Sequence, residues 1–188
     1  SVWRITGEDA AAFVATPVDT TTYCKASDSV AVLANQVFLL SNQGVVAVSE
    51  SGVQVISREI EPNLIPLIGV ANISSYTSGV AYESERSYLI STIQTSAETA
   101  ASQTYVYNIF TKTWVRWTYA FTSAIIGTSD DKLYFAKPNS PIVYKERKDF
   151  ASTDYADADL SATITAISGL SVSFTVSGGT PAVGWALE

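Results

Sequence analysis

Apolar and polar residues alternate with a period of two along most of the chain, and turn residues cut the alternation into short pieces. Residues 30–34 are short and apolar, and Asn35 marks a turn. Residues 36–41 form a second strand, and Asn42-Gln43-Gly44 supplies a tight connection. Residues 45–49 follow, then the turn Glu50-Ser51-Gly52, then residues 53–57. The pattern predicts four short strands joined by three tight turns. A helical reading fails because no 3.6-residue stripe persists across them.

Residues 58–69 change character. Pro62 and Pro66 predict a loop or one short helical turn, read as a connector between units. Strands resume at 70–74, 79–83 and 87–94, and the small polar stretch 95–103 predicts an exposed loop. Residues 104–109 and 113–119 predict a hairpin across Phe110-Thr111-Lys112, and 123–128 and 132–136 another across Ser129-Asp130-Asp131. Residues 142–146 close the series. An acidic, small-residue linker over 149–159 precedes two further strands, 161–167 and 170–176, read as the start of a second β module over 160–188.

A weak internal repeat runs through this pattern. The strand around Phe38 resembles those around Tyr88 and Tyr134, at spacings of 50 and 46 residues. Four short strands per unit of that length is the pattern of β-propeller blades. A β-sandwich stays open as the alternative, because apolar strands align easily by chance. The fold expected is all-β, with two to three antiparallel four-stranded propeller blades over residues 1–148.

Composition agrees. Val, Ile, Thr, Tyr, Phe and Trp total 74 of the 188 residues, against 35 for Leu, Lys, Arg, Glu and Gln. The hydrophobic fraction is 47%, enough for a packed core. No apolar run approaches the roughly 18 residues of a membrane-spanning helix. The net charge of −7, from 18 acidic and 11 basic residues, leaves little basic surface for gripping phosphates. There is no His, which removes Ser-His and Cys-His nucleophile pairs and His-based metal sites. The single Cys, Cys24, excludes an intrachain disulfide and reads as a buried or idle thiol. The absence of Met, with two to three blades where propellers have at least four, leads us to expect a piece of a longer protein.

Candidate chemistry is sparse. Glu83 and Glu85 would share one strand face as paired carboxylates, yet their context reads as a charged hairpin turn. Asp130-Asp131 precedes Lys132 at a turn, where Asp bonds its own backbone. Asp154, Asp157 and Asp159 lack the spacing of an EF-hand calcium loop. Gly178-Gly179 lacks the rest of a phosphate-cradling motif. Asn72-Ile73-Ser74 is a glycosylation sequon by pattern only. Trp114 and Trp117, with Tyr105, Tyr107 and Tyr119, form the densest aromatic cluster. The two tryptophans, three apart, face opposite sides of one strand, so at least one is packing. No catalytic, cofactor-binding or metal-binding residue is assigned.

Three stretches carry a family resemblance. Tyr105-Val106-Tyr107-Asn108-Ile109-Phe110-Thr111-Lys112-Thr113-Trp114 is similar to a kelch-like blade phrase. The longer stretch through Trp117 to Val143-Tyr144-Lys145-Glu146-Arg147-Lys148, then Asp154-Tyr155-Ala156-Asp157, resembles the nozzle, or tail tubular, proteins of short-tailed bacteriophages. The stretch from Ala34 to Val45 resembles a blade of the same family. The resemblance implies a non-enzymatic virion component, assembled as a homo-oligomeric ring with other tail proteins, through which DNA leaves the particle. It implies no cofactor, and together with 18 acidic against 11 basic residues it leads us to expect no tight nucleic-acid binding. Two alternatives from other classes stay open: a kelch-type module binding a protein or glycan, and a fragment of a carbohydrate-active enzyme using Glu83 or Glu85.

Overall fold

A computed structural model describes residues 1–9, 11–146, 161–168 and 171–177. The chain divides into two compact units, Ser1–Glu146 and Arg147–Glu188. Both are built on β structure. In the second unit, β14 (Ser161–Ser168) pairs antiparallel with β15 (Ser171–Ser177), with a register shift between Ile164 and Ala166. The acidic linker expected over 149–159 lies outside the described residues.

The first unit is a succession of antiparallel sheets, each made of strands consecutive in sequence. A hairpin, β1 (Val2–Thr6) with β2 (Val14–Asp19), comes first. The first four-stranded sheet is β3 (Cys24–Leu33), β4 (Gln36–Ser41), β5 (Gly44–Ser49) and β6 (Gly52–Val55). The second is β7 (Ser78–Tyr82), β8 (Ser87–Thr92), β9 (Gln103–Asn108) and β10 (Thr113–Trp117). The third has three strands, β11 (Ser123–Ile126), β12 (Leu133–Ala136) and β13 (Val143–Lys145).

The turns repeat as well. Between the first and second strands of each sheet, the chain passes through the left-handed region at Asn35 (φ 60°), Arg86 (φ 51°) and Asp131 (φ 53°). Asn and Asp tolerate this conformation through local hydrogen bonding. At β3–β4 the connection is Ala34-Asn35 alone, with Ala34 also at positive φ (49°), the two-residue geometry that matches strand twist.

Between β6 and β7 the chain is helical, not strand. A 3₁₀ turn over Arg58–Ile60 leads into α1 (Glu61–Ile68), and a second 3₁₀ turn covers Ile73–Tyr76. Helix α1 is longer than the single turn expected, and it accommodates Pro62 in its first turn and Pro66 inside. The strand expected at residues 70–74 is absent. Asn72 stands at φ 62°, which breaks extended backbone, and Ile73 is buried beneath the turn. Leu64, Leu67 and Ile68 of α1 join the core between the first two sheets.

Two cores result, one on each face of the second sheet. Phe38, Leu40, Val45 and Ala47 of the first sheet meet Tyr88, Ile90, Tyr105 and Tyr107 of the second. On the opposite face, Tyr82 and Leu89 meet Phe121, Leu133 and Phe135. All six residues of β8 are buried as a consequence. The first strands of the three sheets lie side by side, β3 against β7 and β7 against β11. Among the described residues no helix is long and apolar enough to cross a membrane.

The approach of β7 to β3 leaves room only for glycine at position 79. A Cβ there would stand 2.5 Å from the Ser29 carbonyl oxygen and 2.9 Å from the Tyr88 hydroxyl. We expect Gly79→Ala to cost about 1–3 kcal/mol, the usual range for overpacking a filled site. Gly69→Ala is the control, because nothing lies within 4 Å of its added Cβ. Chemical denaturation of both variants measures the difference; equal midpoints would contradict the close approach.

Candidate functional site

The chemistry-bearing side chains converge on the two seams between sheets. The first seam is organised by an irregularity in β3. Its register against β4 shifts between Ala26 and Ala31, which takes Ser29 out of the ladder. The Ser29 hydroxyl donates to the Ala26 carbonyl at 2.6 Å and accepts from the Leu40 amide at 2.8 Å. Its carbonyl, free of the ladder, accepts the Tyr88 hydroxyl at 2.6 Å from the second sheet. The Tyr88 ring stacks on Phe38 with centroids 5.3 Å apart. Phe38 also lies 6.3 Å from Tyr107, which meets Trp114 at 4.9 Å. Trp114 ends the series by donating its indole N–H to the Ile56 carbonyl at 2.9 Å, just beyond β6.

The second seam is a column of rings. Trp117 stacks on Tyr119 at 5.2 Å, Tyr119 on Phe135 at 5.4 Å, and Phe135 on Tyr144 at 5.7 Å. The ammonium of Lys137 lies 4.3 Å from the Tyr144 centroid and 5.9 Å from that of Tyr119, a cation–π contact with the two rings on either side of Phe135. The Tyr82 hydroxyl donates to the Asp131 carbonyl, tying β7 to the β11–β12 turn. Burial pushes that hydroxyl up to about 12, with the Glu146 carboxylate adding to the shift. Tyr88 is raised further, by burial alone in the main.

Trp114 and Trp117 therefore face opposite sides of β10, as their spacing predicts, and each is seam packing. Glu83 and Glu85 are exposed in the β7–β8 turn, where the Glu83 carbonyl accepts the Arg86 amide and the Glu85 carbonyl accepts the Ser87 hydroxyl. Asp130 has a structural role. Its carboxylate accepts the Tyr134 hydroxyl at 2.7 Å and pairs with Lys145 at 2.9 Å, and these bonds hold its pKa down to about 2. Asp131 supplies the left-handed turn residue. Cys24 is exposed rather than buried, because it begins β3 at the rim, with its thiol 3.2 Å from the Ala26 carbonyl. Asn72 and Ser74 of the sequon lie in the 3₁₀ region. Asp154, Asp157, Asp159, Arg147, Lys148, Gly178 and Gly179 lie outside the described residues.

Among the described residues no group of three or more Cys, Asp or Glu side chains is placed to hold a metal ion. An open hollow of about 430 Å³ beside α1 is lined by Arg58, Glu61, Pro62, Ile65 and Pro66. It brings one cation and one carboxylate together over prolines, without a nucleophile. The Ser29 bulge and the Lys137 cation–π contacts are not anticipated from the sequence. The only signal for the first is the polar run Ser27-Asp28-Ser29 inside an otherwise strand-like segment. Comparison of the sequence with protein-family models and with curated proteins finds no match.

The seam tyrosines set the alkaline limit of the fold. Their raised folded-state pKa values mean that the folded chain holds these protons more tightly than the unfolded chain, whose tyrosines ionise near pH 10. That contribution is full below about pH 10 and is lost as pH rises towards 12. We expect cooperative unfolding in this window, with phenolate absorbance rising in step with loss of the β-sheet signal. Gradual ionisation of every tyrosine near pH 10 with the fold intact would contradict the seam geometry. Separately, Tyr88→Phe strands the Ser29 carbonyl and should cost about 1–3 kcal/mol in a denaturant melt.

Proposed function

We propose that the chain is a non-catalytic structural part of a β-propeller in a ring-shaped virion component, of the kind found in the nozzles of short-tailed bacteriophages. The observation that carries this reading is the order of the sheets. Three consecutive meanders lie face to face with their first strands side by side, as radial blades do around an axis. A sandwich would bury one face of each of two sheets; here the middle sheet is buried on both. The rings that could have formed a sugar or base platform are stacked on one another within the seams.

In this reading the protein assembles with further copies and other tail proteins, acts in the virion, and needs no cofactor. Its task is mechanical: to hold a conduit wall while duplex DNA slides past. A sliding surface must not trap phosphates, since each neutralised phosphate releases counterions and adds affinity. The chain carries 18 acidic residues against 11 basic ones. Several of the cations are already engaged, Lys145 on Asp130, Lys137 over Tyr144, Arg86 over Phe110 and Lys25 over Tyr23.

The test has two arms. Electron microscopy of the intact protein should show rings; a monodisperse monomer would remove the assembly. Fluorescence anisotropy with duplex DNA should give no binding near physiological salt, where exposed charges are screened beyond roughly 8 Å. Micromolar, salt-sensitive affinity abolished by neutralising Lys145, Arg147 and Lys148 together would show that this part grips DNA, contrary to the proposal.

A further inference from the structure

The hairpin that precedes the three sheets is half a sheet. Among the described residues β1 and β2 pair only with each other. Both faces are open to solvent, with Trp3 54% and Ile5 69% exposed on one and Val14 55% exposed on the other. A lone two-stranded ribbon is marginal in water, and an open, mostly apolar edge invites another strand. β1 carries one charge, Arg4, and no proline.

Position in the repeat identifies which half is present. β2 passes through residues 20–23 into β3, the first strand of the next sheet, as β10 passes through residues 118–122 into β11. β2 also lies against β6, the last strand of the first sheet. The hairpin thus occupies the place of a third and fourth strand, the outer pair. The inner pair would lie next to β1, with its first strand alongside β3 on the face turned away from the second sheet. On that face Val30 and Val32 are 46% and 62% exposed, whereas their neighbours Ala31 and Leu33 turn into the core with the second sheet. Two separate apolar surfaces, the β1 edge and the Val30–Val32 face, therefore border one space.

We propose that β1 is the acceptor edge of a further four-stranded sheet, completed by an antiparallel β-hairpin of the same polypeptide whose innermost strand covers Val30 and Val32. This rests on reading the sheets as propeller blades. The occupant is a strand pair with one apolar face, bonded to β1 through its backbone. Its source follows from the topology: every sheet described pairs strands that are consecutive in sequence, so the strand beside β1 is the one that leads into it. The β3 face is then covered as its other face is covered by the second sheet.

Thiol reactivity tests this. Val32→Cys, in a Cys24→Ser background, places a reporter at an exposed site where the substitution leaves the core untouched. In the 188-residue chain the thiol should react with maleimide as an open surface thiol does. In the intact polypeptide expressed from its gene, it should react at least about tenfold more slowly, at a rate independent of protein concentration, because exchange with reagent then requires local opening. Equal rates would overturn the proposal. So would protection that grows with concentration, which marks a second copy, or that appears only with another protein present. Rings of radial sheets by electron microscopy, together with an unprotected thiol, would keep the propeller reading and reject this inference alone.

Discussion

The first unit depends on one close contact, the seating of β7 and Tyr88 on the bulge of β3. Residues between Ala26 and Ala31 step out of register, and the Ser29 hydroxyl closes the gap by bonding Ala26 and Leu40. This frees the Ser29 carbonyl, a buried acceptor that must find a donor or cost the fold its desolvation. Tyr88 reaches it from the next sheet. The contact forms only because residue 79 has no side chain to hold the backbones apart. A bulge, a glycine and a tyrosine from three strands thus set how the second sheet sits on the first.

The rest of the architecture follows from that placement. With Tyr88 and Ile90 committed to the first sheet, strand alternation turns Leu89 to the other side. The second sheet therefore needs cover on both faces, and the third sheet supplies the second cover. The two seams are built differently. The first mixes aliphatic side chains from α1 and the sheets with rings that end in hydrogen bonds to the neighbouring backbone. The second is a continuous ring column, with Lys137 against two of its rings. Offset and tilted ring contacts of this kind add about 0.5–1.5 kcal/mol each beyond area burial. Both seams use their aromatic residues for cohesion between sheets.

Strands flanked by tight turns were the legible part of the sequence. Residues 36–41 coincide with β4, and the four-strand meander around them is the first sheet. Where extended-looking residues served another purpose, alternation misled. Val70 to Ser74 is apolar and β-branched enough for a strand, but Asn72 turns it and Ile73 anchors it. β1 and β2 escaped notice because Pro17 interrupts the run and neither face is buried. The repeat was visible one residue out of phase. Phe38 and Tyr88, aligned as equivalents, stack on each other across the seam. Counting from the left-handed residues Asn35 and Arg86, the equivalent of Tyr88 is Val37, and a one-residue offset exchanges the faces of a strand. The spacing of Trp114 and Trp117 requires that at least one of them is packing, and both are. The Ser29 bulge was not legible, because a serine in a strand carries no mark of whether its carbonyl serves its own ladder or another sheet.

The central claim is that the second sheet is the middle of a face-to-face series, and native-state hydrogen exchange tests it most directly. If both faces of β8 are covered, its amides open only with global unfolding and exchange slowest of any strand, while those of β13 and β1 open locally and exchange faster. Exchange from β8 as fast as from β13, under conditions where the chain remains folded, would contradict the account, because it would mean that one of the two seams does not close.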